Sequence, residues 1–418
     1  MKKITPIDCE REFDVHEMFF STTDSRGIIT SGNSVFERIS GHSMATLVGA
    51  PHNIIRHPDM PKVVFKLLWD TIQSGKSISA YVKNMAADGA YYWVLATVFP
   101  INNGYLSVRI KPTSALFKNV PAIYAQVLED EKKNGVESSG KLLLKILLDA
   151  GFSSYDSFMN RALVLEITER SRGLSEAKVS LADRAFMRIF EKLESFAQLS
   201  KILSTSIQQM KFSFQGLRAL SLNMSLSACH LGKTASTLAV VADSFQKFSL
   251  DTEQEVSKFQ NILQEVRLAL RMSEFKSASA CLQHQMIAYF QEEMKLLGIN
   301  SVHRTKQLED LSDLLIEESQ KVLAQTQEML GTFAMAASTT EASITALEIV
   351  RQTGKVEAAQ VVGAIEAVGP YLMDLQKFTK TLRTPLRKIA ESSEGLIADV
   401  EIIQDNLNLA KAGYVQCA

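Results

Sequence analysis

From about Ser175 onward, apolar residues return every 3.5 positions. Ile189, Phe196, Leu203, Met210, Leu217, Met224 and Leu231 occupy one heptad site, and Leu193, Ser200, Ile207, Phe214, Ser221 and Ala228 the other. A seam this long commits the chain to long helices packed side by side, because that spacing keeps one face of a helix against its partner. Beyond Gly232 a second stripe runs through Leu238, Val241, Phe245, Phe248, Phe259, Ile262 and Val266. Two seams divided by a glycine-containing break predict an antiparallel helical hairpin with its tip near residues 231–236. Further helices are expected over Gln307–Ala337, Thr339–Arg351, Lys355–Val368 and Tyr371–Leu409. Gly354, Gly369-Pro370 and Pro385 would break or kink them.

The first part of the chain follows a different period. Met18–Thr23 is apolar and is followed by Asp24-Ser25-Arg26-Gly27 and Ile28-Ile29-Thr30, a hairpin signal. Asn33–Gly41 and Ser43–Gly49 predict short helices closed by glycine. Asp59-Met60-Pro61 opens a longer helix with Val63, Val64, Leu67 and Leu68 on its apolar face and Gly75 as its stop. Ser79–Met85 and Tyr91–Phe99 are joined across Asp88-Gly89, a strong hairpin turn, and Tyr105–Ile110 supplies a last strand. This order predicts an α+β domain over residues 15–115: one antiparallel five-stranded sheet with short helices on a face. A helical linker over 116–174, the hairpin over 175–300 and a helical segment over 301–418 complete the expected organisation.

Charge and cysteine usage narrow the function classes. Lys+Arg number 45 against Asp+Glu 46, so no global field favours nucleic acid or acidic membranes. The most apolar stretches, such as residues 141–150, are too short and too charged for a membrane span, and no secretory signal is visible. Cys9, Cys229, Cys281 and Cys417 lie far apart without a CxxC pair, which argues against a disulfide framework or a structural zinc site. A cytoplasmic protein is expected. No Gly-rich dinucleotide fingerprint, P-loop, HExxH or nucleophile elbow is present, so an enzyme is not expected.

The densest chemistry lies in Gly49–Trp69, GAPHNIIRHPDMPKVVFKLLW, where two histidines, an arginine and an aspartate enter a helix beside aromatic residues. A helix N-terminus with a cationic neighbour suits an anionic group such as pyrophosphate. Arg56 offers a planar fork, and His and Asp can donate and accept at a ring edge. A purely structural alternative has Asp59 capping the helix and pairing with Arg56 while His52 and His57 pack.

These residues carry a resemblance. FFSTTDSRGIITSGNSVF, PHNIIRHPDMPKVVF, KLLW, YVKN and DGAYYWVLATVFP resemble the PAS domain of bacterial aerotaxis receptors over Phe19–Lys111. The resemblance implies a cavity that binds FAD noncovalently and senses redox state, with Asn33, His52, Arg56, His57, Asp59, Phe65, Trp69 and Asn84 around the flavin. The family's Trp-Ser-Gly ahead of VKN is Ile78-Ser79-Ala80 here, a departure that bears on flavin affinity and ligand choice. Other PAS families hold haem, for which His52 or His57 would be the axial ligand; FAD is the guest this resemblance implies.

Ser221–Ser249 in turn resembles the cytoplasmic tip of methyl-accepting chemotaxis receptors, matching at Leu222, Asn223, Ala228, Gly232 and Ala239-Val240-Val241-Ala242. That family docks a chemotaxis kinase and its coupling protein at the tip. Here its Glu and Arg positions become Ser227, His230 and Lys233, so kinase coupling is expected to be altered or absent. The expected whole is a homodimeric signal transducer: a flavin-bearing PAS sensor joined to a receptor-like helical module. The alternative is a helical scaffold whose PAS domain dimerises or docks a partner.

Overall fold

The computed structural model describes residues 4–173, 179–231, 236–296, 298 and 302–415. They divide into two compact units: Met1–Phe190 with Arg271–Gln320 and Asn406–Ala418, and Glu191–Leu270 with Lys321–Asp405.

The first unit contains the predicted sheet. Strands β1 (Met18–Thr23), β2 (Ile29–Gly32), β3 (Ile78–Met85), β4 (Tyr91–Ile101) and β5 (Gly104–Ile110) pair antiparallel in the order β2-β1-β5-β4-β3. The register sets Ala96 opposite Arg109 and Val98 opposite Ser107, so these residues share the inner face with Val82 and Asn84 of β3. Helices α1 (Ser34–Ser40), α2 (Met44–Leu47) and α3 (Lys62–Gln73) and a 3-10 turn (His52–Ile55) cover that face. The result is a PAS fold followed by long helices.

The sheet's other face is not open to water. From α6 (Tyr155–Gly173), Phe158 packs on Tyr81 of β3. From α8 (Ser236–Leu296), Phe290 meets Phe20 of β1 edge-on at 5.2 Å. The helical hairpin of α4 (Val120–Asn134) and α5 (Val136–Asp149) packs against α3 through α5. A buried carboxylate, a buried guanidinium and a half-buried carboxylate fasten these helices to the domain. Glu166 of α6 accepts from the Tyr81 hydroxyl at 2.8 Å and from the Thr113 and Ser114 amides at 2.6 and 2.9 Å. Arg170 donates to the carbonyls of Val15 and His16, just before β1. Glu293 of α8 accepts from the Ser34 amide at 2.9 Å, where α1 begins.

The second unit is built from parts of α7 (Leu181–His230), α8, α9 (Val302–Gln360) and α10 (Ala364–Val415). Each helix meets its neighbours antiparallel, as in an up-down-up-down bundle. Ser249 of α8 donates to the Phe214 carbonyl of α7, the Phe259 ring of α8 meets Phe333 of α9 at 4.8 Å and a tilt of 56°, and Thr379 of α10 donates to Glu348 of α9. The circuit closes where Phe378 of α10 meets Phe214 of α7 at 5.7 Å. The heptad residues Phe196, Leu203, Met210, Leu217 and Met224 are all buried.

The breaks expected in the last helices are absent. α9 runs unbroken through Gly354, and α10 runs unbroken through Pro370 and Pro385; the turn falls between them at residues 361–363 instead. A proline forfeits one helical hydrogen bond. Leu372, Leu375, Leu382, Leu386 and Ile389, buried around these prolines, outweigh that loss because each is worth about 1.5–3 kcal/mol of apolar burial. The predicted hairpin tip lies largely outside the described residues: α7 ends at His230 and α8 starts at Ser236, whereas 232–235, including Gly232 and Lys233, are not described. Among the described residues no helix is long and apolar enough to cross a membrane.

Candidate functional site

A cavity of about 320 Å³ opens between the inner face of the sheet and α3. Local sequence explains its walls. Successive strand residues point to opposite faces, so Tyr105, Ser107 and Arg109 of β5 point inward together while Leu106, Val108 and Ile110 point to the face packed by α6 and α8. On α3, Phe65, Leu68, Trp69 and Ile72 recur at helical spacing and form the opposite wall. Trp69 meets Tyr105 edge-on at 5.7 Å. It also lies against Gly27, which sits at φ +79°, where a Cβ would come within 2.9 Å of the indole. A side chain at position 27 would therefore displace Trp69 from its place in the cavity wall.

Five of the eight residues implied by the aerotaxis resemblance line this cavity: His52, Arg56, Phe65, Trp69 and Asn84. The Arg56 guanidinium stacks over the Phe65 ring at 4.2 Å and donates to the Met60 carbonyl at 3.2 Å. Partial burial lowers its pKa, against the pull of Glu131. Asn84 is buried at the cavity wall, and its carboxamide makes no hydrogen bond to a described residue.

The other three residues stand elsewhere. Asn33 is the N-cap of α1; its side-chain oxygen accepts from the Phe20 amide at 3.2 Å, and its amide donates to the Met18 carbonyl and to Glu293 at 3.1 Å each. His57 is buried edge-on to Tyr91, and its Nδ1 accepts from the Asp59 amide at 3.1 Å. Burial and the nearby Lys83 push the His57 pKa down. Asp59 pairs with Lys83 at 2.7 Å rather than with Arg56. Partial burial alone would raise the Asp59 carboxyl, but Lys83 outweighs it and the pKa ends below the ordinary value.

The start of α3 does not offer the anion site that the sequence suggested. Its first amides, Lys62 and Val63, donate at 3.0 Å each to the two oxygens of Glu131, a residue of α4. The favourable position for a phosphate is taken by the chain's own carboxylate. Asp59 does not cap the helix either; Pro61 occupies the cap position without a side-chain bond.

Arg109, which sequence reasoning missed, dominates the cavity floor. It is 2% exposed, and its Nη2 donates to His52 Nε2 at 2.5 Å and to Ser21 Oγ at 3.0 Å. A guanidinium has only donors, so Nε2 must accept and the neutral His52 carries its proton on Nδ1. The Phe19 and Phe36 rings flank the cation at 5.7 and 5.3 Å. Among the described residues no carboxylate pairs with it, and burial lowers its pKa to about 10. The cavity lining also includes Arg26 and Lys66 but no Asp or Glu. One signal was available in the sequence: Arg109 is in phase with Tyr105 and Ser107, opposite the apolar Leu106, Val108 and Ile110.

Burial and the adjacent Arg109 push the His52 pKa down to about 3. Below pH 6.5 the unfolded chain therefore takes up a proton that the folded chain refuses. This contribution to stability is whole above about pH 6.5 and is lost toward pH 3 at about 1.4 kcal/mol per unit. Urea titrations of the parent and His52→Gln at pH 7, 5 and 4 should show a steeper decline in the parent, by one proton. Equal slopes would contradict the assignment.

A family model described as PAS fold matches residues 29–108. Over 109 residues the chain is 39% identical to the aerotaxis receptor of Escherichia coli (strain K12), a match that takes in 25% of this chain and 22% of the receptor. It is 29% identical over 83 residues to the nitrogen fixation regulatory protein of Klebsiella pneumoniae, covering 20% of this chain and 17% of that protein. The chain thus spans about a fifth of the length of these curated relatives. Among solved structures, the PAS domain of a protein from Colwellia psychrerythraea aligns with a TM-score of 0.21 and 20% identity, over 22% of this chain and 85% of that one.

Proposed function

We propose that this chain is a signal transducer whose PAS domain binds FAD and reports its redox state to the long helices, without an enzymatic activity of its own. The observation that carries the reading is the cavity itself: aromatic walls, a carboxamide without a protein partner and four cationic side chains, with no carboxylate in the lining. Such a site suits a flat, electron-poor ring bearing a phosphate tail. Identity to the aerotaxis receptor over the same residues supports it. Phe65, Trp69 and Tyr105 would hold the ring apolar and dry, and Asn84, Arg109 and His52 would meet its polar edge. Arg56, Lys66 and Arg26 would face the phosphates. The flavin, when bound, supplies reversible electron uptake. A haem reading is weaker, because His52 Nε2 is engaged by Arg109 and His57 stands outside the cavity lining.

The relay has a physical path. A changed hydrogen bond at Asn84 or Arg109 is felt in β3 and β5, and those strands border the contacts that α6 and α8 make through Glu166, Phe290 and Glu293. The helices would report by shifting between two packings. We place this action in a reducing, cytoplasmic setting, with coupling to chemotaxis-type partners altered at the tip. A homodimer, the form the receptor resemblance implies, would pair through other surfaces, because the seams of α7–α10 in the second unit are filled within one chain.

The purified full chain should be yellow and release FAD on denaturation. Trp69→Ala and Asn84→Ala should each weaken FAD binding about tenfold, equivalent to about 1.4 kcal/mol, as read from quenching of flavin fluorescence. A colourless protein that FAD does not saturate at high micromolar concentration would remove the flavin reading and leave the scaffold.

A further inference from the structure

A buried guanidinium without an anion is an unusual thing for a fold to keep. Charges are buried almost only when paired, since the cost of leaving water is otherwise unmet. Arg109 is 2% exposed; its contacts are neutral ones, to Ser21 Oγ, His52 Nε2 and, at 3.5 Å, the Ser107 carbonyl. The charged and titratable groups around it do nothing to neutralise it. His52 faces it from the 3-10 turn with its acceptor nitrogen, and Tyr92 of β4, whose hydroxyl has no hydrogen-bond partner among the described residues, lies buried on the same face. Arg56 on the opposite wall adds positive charge, while Lys66 and Arg26 are paired with Asp70 and Asp24. Glu131, whose charge acts on Arg56, is spent on the start of α3. The missing counter-charge must therefore come from whatever occupies the cavity.

We propose that Arg109 makes the cavity selective for the anionic form of its guest, so that the bound flavin is held more tightly reduced than oxidised. This rests on the flavin reading above. Oxidised flavin has a neutral ring. Two electrons from an external donor and one proton taken up at N5 give a reduced ring with its negative charge over N1 and the C2 carbonyl. That charge finds in Arg109 a fixed cation in a site of low polarity, where electrostatic attraction is far stronger than in water. Oxidised flavin receives only hydrogen bonds from the same group. Reduction thus completes an ion pair that the empty fold leaves open, and it does so on β5, directly opposite Phe20-bearing β1 and the α8 contact. Arg109 would both raise the flavin's reduction potential and be the residue whose bonding changes on reduction.

The full chain, loaded with FAD and titrated anaerobically with dithionite against a reference dye, tests this. The bound midpoint should exceed that of free FAD by at least about 30 mV, which corresponds to tenfold tighter binding of the reduced form. Arg109→Gln should lose that increment by weakening reduced FAD more than oxidised FAD, and Arg109→Lys should retain most of it. A wild-type midpoint at or below that of free FAD overturns the proposal without any variant, which covers the case of a glutamine variant that does not fold. So does an Arg109→Gln chain that binds FAD with an unchanged midpoint. A wild-type chain that binds no FAD in either state instead overturns the flavin reading, and the proposal goes with it.

Discussion

Ending the chain before Val302, so that α9 and α10 are gone, should turn it into a self-associating protein. The first hairpin presents Phe214 to Phe378 and Phe259 to Phe333, and with the second hairpin removed both aromatic pairs lose a partner. Along the same seams Leu203, Met210, Leu217, Phe245 and Val266 are fully or almost fully buried. Exposing such side chains costs about 1.5–3 kcal/mol each, and long helices have little stability without a packed face. Two truncated chains can recover the loss by pairing their hairpins. Light scattering should then give at least twice the mass of one polypeptide, and the helical melting temperature should rise with concentration. In the intact chain the second hairpin is tethered, so melting of the bundle should be independent of concentration. A truncated chain that stays monomeric with full helicity would show that the first hairpin does not rely on the second.

Glu166→Ala should cost about 3–5 kcal/mol in the first unit. The carboxylate is 1% exposed and is the shared acceptor for the Tyr81 hydroxyl, the Thr113 and Ser114 amides and the Ser114 hydroxyl. Each buried donor left without a partner costs about 1–3 kcal/mol, and a small cavity adds to that. Burial and the adjacent Glu166 hold the Tyr81 hydroxyl far above its ordinary pKa, so that proton stays on the phenol and needs its acceptor. The loss falls at the point where the chain leaves β5 for the helices. Urea unfolding followed by tryptophan fluorescence should therefore shift to a lower midpoint, and protease should cut sooner near residues 112–119. Glu166→Gln, which keeps one acceptor oxygen, should lose less. A midpoint unchanged in Glu166→Ala would mean that Phe158 on Tyr81 holds α6 without help.

Some parts of the site were written locally and others were not. Phe65 and Trp69 came from the aerotaxis resemblance, since spacing alone put Val63, Val64, Leu67 and Leu68 on that helix's apolar face, and Arg56 stood out by its place just before the helix. Asn33 sits in a motif that the aerotaxis resemblance ties to flavin. Its position before Ser34-Val35-Phe36 equally suits a helix cap, and the structure uses it as one, with Glu293 brought up from α8. Glu131 could not have been found at the start of α3 by reading along the chain, since nothing local joins positions 62 and 131. Arg109 was missed for a related reason. In a strand alternating Tyr, Ser and Arg with Leu, Val and Ile, polar residues ordinarily face water. Here α6 and α8 cover the apolar side, which leaves the polar side for the cavity.

What the sequence determined by itself was period and punctuation: a five-stranded α+β domain first, then helices with continuous apolar seams, because side-chain alternation and the heptad are properties of neighbouring residues. What packs against those faces was decided only in three dimensions. The second hairpin closes on the first, prolines stay inside α10 because buried leucines hold it together, and a carboxylate from α4 takes the anion position of α3. These depend on which distant segments come together, and the free energy of such contacts exceeds the local preferences that a sequence displays.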